Sequence, residues 1–186
     1  MRIHRRAFVS AAALLTAQLA SNRSFATLMR GLSLRELVRQ SHHVLSLSAL
    51  ESRCRYLVIG GRRSIVTETR VRIEDVLAGA VPSDGQLVVR TLGGVLDGVG
   101  ELVHGQAEFS LGAPCVAFLT LGEDGSFWVT GMAQGHFPIV AAGAEATLAA
   151  SPHLSTLRDW EHSAVRALVG QKLTEATRLV REASAR

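Results

Sequence analysis

The clearest strand signal in the chain is the stretch RSIVTETRVRI, residues 63–73. Two kinds of side chain alternate along it, which is the period of two expected of a half-buried β-strand. Its β-branched residues also favour extended structure. The side chains predicted to point one way, toward the core, are those of Ile65, Thr67, Thr69, Val71 and Ile73. The other face carries Val66, Glu68, Arg70 and Arg72, and we expect its charged residues to be exposed to solvent.

Shorter strand signals lie on both sides of this stretch. They cover residues 43–50, with 56–59 as a continuation before a Gly60-Gly61 turn, and then 87–92, 114–121, 126–132 and 137–140. The segment 82–85 reads PSDG and the segment 122–125 reads GEDG, and Gly, Pro, Asp and Ser are residues that tight turns favour. Residues 93–112 hold six glycines and predict either a loop or a pair of short strands with tight turns.

Helical signals flank the strands. Residues 27–40 read as a short helix, which Ser33 can cap because Glu36 stands three residues on, the spacing of a capping box. Residues 155–185 have helical periodicity, and Gly170 is a point where that helix bends or ends. The apolar stripe of this segment consists of Leu157, Trp160, Ala164, Leu168, Leu173, Ala176 and Val180.

Strands followed by a terminal helix predict an α+β domain that is mainly β. Five or six short strands suffice for a small antiparallel barrel, which leaves no exposed sheet edge. A β-sandwich is the alternative. We expect the barrel to carry a short N-terminal helix and a C-terminal amphipathic helix.

The positive charge is unevenly placed along the chain. Its 186 residues include 20 Lys+Arg and 16 Asp+Glu, which gives a formal net charge of +4. Residues 1–26 hold four of the arginines and no acid, so the rest of the chain is formally neutral. A neutral domain with few aromatic residues lacks the basic surface that phosphate backbones require. We therefore do not expect nucleic acid as a partner.

Residues 1–26 have the three parts of an export signal: a basic start, an apolar stretch and the small-x-small motif Ser24-Phe25-Ala26. The apolar stretch, residues 7–20, is too short to cross a bilayer of roughly 30 Å as a helix. The segment HRRAFVS, residues 4–10, resembles the twin-arginine signal through Arg5, Arg6 and Phe8. We place cleavage after Ala26, and the general secretory route is the alternative.

These features divide the chain into three parts. They are an export signal peptide, residues 1–26, a β-barrel domain, residues 27–140, and a linker with a C-terminal helical segment, residues 141–186. The expected location is periplasmic or secreted, with the export machinery as one partner and no permanent membrane span.

Cys54 and Cys115 are the only cysteines. In an oxidising compartment they allow one disulfide, and the alternative is two unpaired thiols. They form no CxxC pair, which excludes zinc-ribbon and thioredoxin-type sites.

The sequence contains no HExxH motif and no GxSxG motif, and its only lysine, Lys172, is not part of a P-loop. Glycine-containing bends carry two histidines, and loops on a rigid barrel often carry function. The ligand-binding candidates are therefore His104, Gln134, Gly135 and His136. A metal held by the two imidazoles with Glu101 or Glu108 is one alternative, and ordinary turn histidines are another. No catalytic residue and no cofactor is assigned.

Several stretches between residues 32 and 140 carry a family resemblance. They are LRELV (34–38), GGRRSIVT (60–67), VVRTLGG (88–94), VHGQA (103–107), FL (118–119) and GMAQGHF (131–137). In these the chain resembles a group of uncharacterised exported bacterial proteins of the kind encoded in myxobacterial genomes. No function is established for that group, so the resemblance implies export and no catalytic residue.

Two further stretches, VLAG (76–79) and LGAPCVAFL (111–119), are similar to the netrin-like barrel of tissue inhibitors of metalloproteinases. This similarity implies an OB-like, that is oligonucleotide/oligosaccharide-binding-type, barrel. Those inhibitors approach a catalytic zinc with an N-terminal cysteine, and no cysteine lies near Thr27. The similarity therefore does not imply protease inhibition.

We expect an exported, non-enzymatic domain that binds a protein, peptide or glycan at the bacterial cell envelope. The alternative is a small metal-binding protein or metal-dependent hydrolase that uses His104 and His136. A third hypothesis uses the C-terminal helix as an oligomerisation surface, although packing on the barrel is the simpler expectation for its apolar stripe.

Overall fold

The computed structural model describes residues 28–80, 84–142 and 145–185, and within them strands outweigh helices. The strands are β1 (Leu28–Arg30), β2 (His43–Ile59), β3 (Arg62–Ala78), β4 (Gln86–Leu92), β5 (Gly94–Leu96), β6 (Val99–Glu101), β7 (Pro114–Leu121), β8 (Phe127–Val129), β9 (His136–Ala142), β10 (Glu145–Leu148) and β11 (Thr156–Arg158). The helices are α1 (Leu34–Gln40), α2 (Ala164–Leu168) and α3 (Leu173–Ser184). The prediction of a mainly β structure is confirmed. The predicted signal peptide lies outside the described residues.

Five strands close into a ring. β2 and β3 form a long antiparallel hairpin whose register runs from Val44 opposite Ala78 to Ile59 opposite Arg62. β4 pairs antiparallel with β3, and β7 pairs antiparallel with β2. The short strand β8 closes the ring, since it pairs antiparallel with β7 and parallel with β4. β9 and β10 continue the sheet outward from β7.

The alternation along residues 63–73 separates two faces of β3, as predicted. Thr69 and Val71 are buried on one face, and Arg70 is exposed on the other. The expectation that the charged side chains of the second face are exposed to solvent is wrong for Glu68, whose side chain is only 4% exposed. It is covered because arginines from β2 and β4 reach over it. Burial of this carboxylate therefore depends on neighbouring strands.

Two hydrophobic cores stabilise the ring, one inside it and one outside it. Its interior is filled from all five strands, and the buried side chains there include Leu45, Leu47, Val71, Val89, Ala117, Leu119 and Val129. A second core lies between the outer side of the sheet and the three helices, and it includes Leu37, Phe118, Phe137, Leu168 and Val180. β7 serves both cores, because Ala117 and Phe118 point to opposite faces of one strand.

The N-terminal capping box is confirmed. Ser33 Oγ accepts a hydrogen bond from Glu36 N, and the Glu36 carboxylate accepts one from Ser33 N at 2.8 Å. The hydrogen bonds from Ser33 and the nearby Arg30 lower the pKa of Glu36 to about 2. The helix begins only at Leu34, and residues 28–30 form strand β1 instead of the expected helical turn.

The C-terminal segment differs from the single helix predicted for residues 155–185. Residues 156–158 form β11, which pairs parallel with β1, residues 160–162 form a short 3-10 turn, and the α-helices of the segment are α2 and α3. Gly170 separates these helices with a φ of +81°, so the predicted interruption is confirmed. In the segment 141–150, expected as a linker, β10 pairs with β9. Among the described residues, no helix is long and apolar enough to cross a membrane.

The predicted apolar stripe of this segment is packed on the domain rather than free. Ala164, Leu168, Ala176 and Val180 are fully buried in the outer core. Trp160 is the exception, because it lies in a short 3-10 turn before α2 and remains partly exposed. The helices thus cover the outer side of the sheet.

Candidate functional site

The inner face of the ring changes from apolar to hydroxyl-bearing side chains toward one end. On β3, Val71 is followed on the same face by Thr69 and Thr67, while on β4 Val89 is followed by Thr91. Ser52 on β2 lies opposite Thr69. We call Ser52, Thr67, Thr69 and Thr91 the hydroxyl floor. They form the base of a pocket of about 1090 Å³.

Hydrogen bonds fix the hydroxyl floor. Ser52 Oγ and Thr69 Oγ1 are 2.9 Å apart, a distance at which one hydroxyl donates to the other. Thr67 Oγ1 donates to the carbonyl oxygen of Gly93 at 2.8 Å. Because the partners come from β2, β3 and the segment after β4, the floor is held by three parts of the chain.

One wall of the pocket is the β5–β6 hairpin. Gly94 opens it with a φ of +133°, and a Cβ there would stand 2.6 Å from both Cys54 Sγ and Thr67 Oγ1. Only glycine allows the hairpin to approach the floor this closely. Glu101 Oε2 accepts a hydrogen bond from Ile65 N at 2.6 Å, which anchors the other strand of the hairpin to β3.

The segment after β6 continues the wall and then enters the ring. Ala107 and Phe109 are buried in the inner core. Gly105, with a φ of +76°, accepts a hydrogen bond from Ala133 N at 2.9 Å. Residues 152–156 form the facing wall. The pocket is therefore preformed, since both ends of this segment are anchored in the fold.

The pocket rim is apolar and its ionic groups are few. Val95 and Leu102 line the pocket with 69% and 77% of their surface exposed. Among the described residues that line it there is no lysine or arginine. Two carboxylates are present, and both have partners: Glu101 holds Ile65 N, and Glu108 Oε2 lies 2.6 Å from His153 Nε2.

The opposite face of the same strands gathers arginines around Glu68. Its carboxylate lies 2.8 Å from Arg55 Nε and Arg90 Nε and 3.1 Å from Arg53 Nη2. Arg90, only 11% exposed, also pairs with Asp124. Burial raises the pKa of Glu68, but the hydrogen bonds and charges of the three arginines outweigh it, so its pKa is lowered. This cluster, which we call the Glu68 network, lies behind the pocket floor.

Comparison with known proteins gave no match. No protein-family model, no curated protein and no solved structure matches this chain. The chemistry of the pocket is therefore argued from its own residues.

The structure places only one of the four sequence-predicted site residues in the pocket. His104 lies at its rim and is exposed. Gln134 is 2% exposed, and its side chain accepts from Leu32 N at 2.9 Å and donates to Arg30 O at 3.1 Å. It fastens the segment between β1 and α1. Gly135 is buried so tightly that a Cβ would stand 2.1 Å from the carbonyl oxygen of Thr130.

His136 is a buried histidine beneath the pocket wall. Its Nδ1 lies 3.2 Å from Ser151 Oγ, and its ring meets the Phe109 ring edge-on at 4.9 Å. Burial, with a smaller effect of the His153 charge, lowers the pKa of His136 to about 4. The imidazole is thus neutral at neutral pH and packs as part of the fold. It lines a separate cavity of about 50 Å³.

In the part of the chain that the structure describes, no group of three or more His, Cys, Asp and Glu side chains is arranged to hold a metal ion. The ligand set of the metal alternative, His104 and His136 with Glu101 or Glu108, is therefore not assembled there.

The disulfide allowed by the sequence is not formed, because Cys54 and Cys115 are both free thiols. Cys115 pairs with Leu47, and Cys54 lies seven positions further along β2 than Leu47. At roughly 3.3 Å per residue this places the Cα atoms of the two cysteines about 23 Å apart, whereas a disulfide needs less than about 7 Å. Burial raises the pKa of Cys115 to about 12, so its thiol stays protonated.

The sequence interpretation missed the hydroxyl floor. It assigned Thr67 and Thr69 to the inward face but drew no site from them. Polar residues at positions that alternation assigns to the core are a signal of function, and this signal was present. Ser52 and Thr91 join the floor only through strand pairing, which their own sequence surroundings do not reveal.

Proposed function

We propose that this protein is an exported, non-enzymatic binding domain of the bacterial cell envelope whose ligand occupies the pocket over the hydroxyl floor. The observation that carries the proposal is the pocket of about 1090 Å³ with anchored walls. Ligand sites are mostly preformed concavities of roughly 300–1000 Å³. The floor hydroxyls bond to one another and to a backbone carbonyl rather than to a general base, which favours binding over catalysis.

We also propose that the five-strand ring is an OB-like, netrin-like barrel. The ring has five strands, and the last of them in sequence closes it by lying between two earlier strands. This arrangement is consistent with the five-stranded Greek-key barrel of that class. Here β8 lies between β4 and β7, with a parallel contact to β4. The helix α1 before β2 and the C-terminal helix α3 agree with the expected additions to the barrel.

The pocket proposal can be tested by filling the pocket. A Cβ at Gly100 would meet only Val95 Cγ2 within 4 Å, at 3.9 Å, and both residues line the pocket. Gly100→Trp should therefore fold and occlude the ligand. Val99 next to it is exposed and does not line the pocket, so Val99→Trp is the matched control. The measurement is retention of components of a solubilised envelope extract by each immobilised protein.

We expect at least one component whose retention falls by about tenfold or more in Gly100→Trp, and by less than about twofold in Val99→Trp. Circular dichroism of both variants checks that they are folded. Equal retention of every component by the wild type and a folded Gly100→Trp variant would remove the pocket as the binding site.

The export proposal rests on the N-terminal pattern and has its own test. In a bacterium with a twin-arginine pathway, we expect the wild-type chain in the periplasmic fraction, shortened by cleavage after Ala26. The Arg5→Lys/Arg6→Lys variant should remain uncleaved in the cytoplasm, while Arg2→Lys should be exported normally. Equal export of all three chains would rule out the twin-arginine route.

A further inference from the structure

We infer that the ligand of the pocket is a neutral, hydroxyl-rich oligosaccharide. This inference rests on the proposed function and narrows it to one ligand class. Three properties of the pocket support it: the donors and acceptors of its floor and walls, its charge, and its aliphatic rim.

Hydroxyl groups are the most frequent polar side-chain groups of the pocket. The six that line it belong to Ser52, Thr67, Thr69, Thr91, Ser155 and Thr156. Each hydroxyl can donate one hydrogen bond and accept two, and a sugar hydroxyl has the same capacity. In the pair of Ser52 and Thr69 one hydroxyl donates to the other, so the acceptor's own hydrogen is free for a ligand. Thr67 donates to Gly93 O, and Cys54 Sγ lies 3.4 Å from its oxygen, so one lone pair of Thr67 remains as an acceptor for a ligand.

The charge of the pocket disfavours an anionic ligand. The described lining residues include no lysine or arginine, and the Glu101 and Glu108 carboxylates would repel phosphate, sulfate or carboxylate groups. The arginines of the same strands lie on the other face, in the Glu68 network. A cation is not favoured either, because both carboxylates already have partners.

The rim adds an apolar surface above the polar floor. Val95 and Leu102 are largely exposed where they line the pocket. Such side chains gain free energy by covering the C–H surface of a sugar ring. At about 1090 Å³ the pocket is larger than the usual range for a small ligand, which favours a short chain of rings over one ring.

A peptide fits these features less well. Extended peptides commonly bind by adding a strand to a sheet edge, where main-chain groups pair. The hydroxyl floor instead consists of side chains on the inner face of paired strands β2, β3 and β4. Hydroxyl donors and acceptors held in this way can pair with the hydroxyl groups of a sugar.

The test is an array that carries neutral oligosaccharides such as chitotriose and maltotriose, their sulfated counterparts, and a peptide library. Binding is compared among the wild type, Gly100→Trp, Val99→Trp, Thr91→Val and Thr120→Val. Thr91→Val keeps the side-chain shape but removes one floor hydroxyl. Thr120→Val is the same substitution on β7 at a residue outside the pocket lining.

We expect the wild type, Val99→Trp and Thr120→Val to bind a neutral oligosaccharide. Gly100→Trp should lose that binding, and Thr91→Val should bind about tenfold more weakly. Binding only to sulfated glycans, or only to peptides, would overturn the inference. So would no binding to any probe. If an envelope component is still retained in a Gly100-dependent manner, the proposed function survives that result; if none is retained, both fail.

Discussion

Replacing Glu68 by glutamine is expected to lower the free energy of unfolding by about 3 kcal/mol at neutral pH. Removing one partner of a buried ion pair costs roughly 3–5 kcal/mol, because a charge remains without compensation. Here the lower end applies. Arg53 and Arg55 are substantially exposed to water, and Arg90 keeps its pair with Asp124. Urea denaturation of the wild type and Glu68→Gln measures the difference.

The matched control is Glu51→Gln on β2. Glu51 pairs with Arg70 at 3.2 Å, and both side chains are exposed, so this substitution should cost at most about 1 kcal/mol. Equal destabilisation by the two substitutions would show that burial of Glu68 adds nothing to its contribution.

Acid should remove the contribution of Glu68 from the wild type. Its pKa is lowered in the folded protein, so the stabilisation is full above the unfolded-state pKa of about 4.3 and is lost as the pH falls below it. The difference in stability between the wild type and Glu68→Gln should therefore shrink in acid.

The second large effect is a loss of stability between pH 6.5 and pH 4 that depends on His136. The pKa of this imidazole falls from 6.5 to about 4 in the folded protein, chiefly through burial. In this window the unfolded chain binds the proton more readily, so protons favour unfolding. Stability is full above pH 6.5 and decreases as the pH falls, by about 3 kcal/mol in total at pH 4.

His136→Gln removes this titration. The glutamine amide can still bond to Ser151 Oγ, the partner of His136 Nδ1. The variant should therefore show a flatter profile of unfolding free energy between pH 6.5 and pH 4, whatever its absolute stability at pH 8. Parallel profiles for the wild type and the variant would mean that the pKa of His136 is the same in the folded and the unfolded protein.

The strands of the ring could be predicted because their signals are local. Alternation along residues 63–73 gives β3, and the run of apolar residues after Gly112 gives β7 with both of its bounds. The capping box of Ser33 and Glu36 is equally local, since the two residues are three positions apart. Such patterns depend only on residues that are close in sequence, so the folded structure retains them.

The errors arose where distant parts of the chain meet. β11 was expected to be helical, but it pairs with β1 more than a hundred residues earlier. Gln134 lies in a bend that suggested a ligand site, yet its amide bonds to Leu32 and Arg30. Glu68 sits at an alternating position that suggested exposure, and arginines of two other strands cover it. None of these partners is visible in the local sequence.

The hydroxyl floor shows the same limit for the site. Thr67 and Thr69 were assigned correctly to the inner face, but a pocket exists there only because Gly94 lets the β5–β6 hairpin approach them. The pairing register then adds Ser52 and Thr91. Sequence alternation gives the direction of each side chain, whereas the pocket depends on which strands become neighbours.

Ligand binding on the hydroxyl floor is tested most directly by backbone amide shifts in ¹⁵N-labelled protein titrated with the neutral oligosaccharide that binds most tightly on the array. We expect saturable shifts at Gly93, Gly94 and Gly105, which line the pocket, and none at Gly60 in the turn between β2 and β3 or at Gly170 between α2 and α3. The same titration of Gly100→Trp should leave all five signals in place. Binding in this pocket would be contradicted by shifts confined to Gly60 or Gly170. It would also be contradicted if the signals of Gly100→Trp shifted as much as those of the wild type.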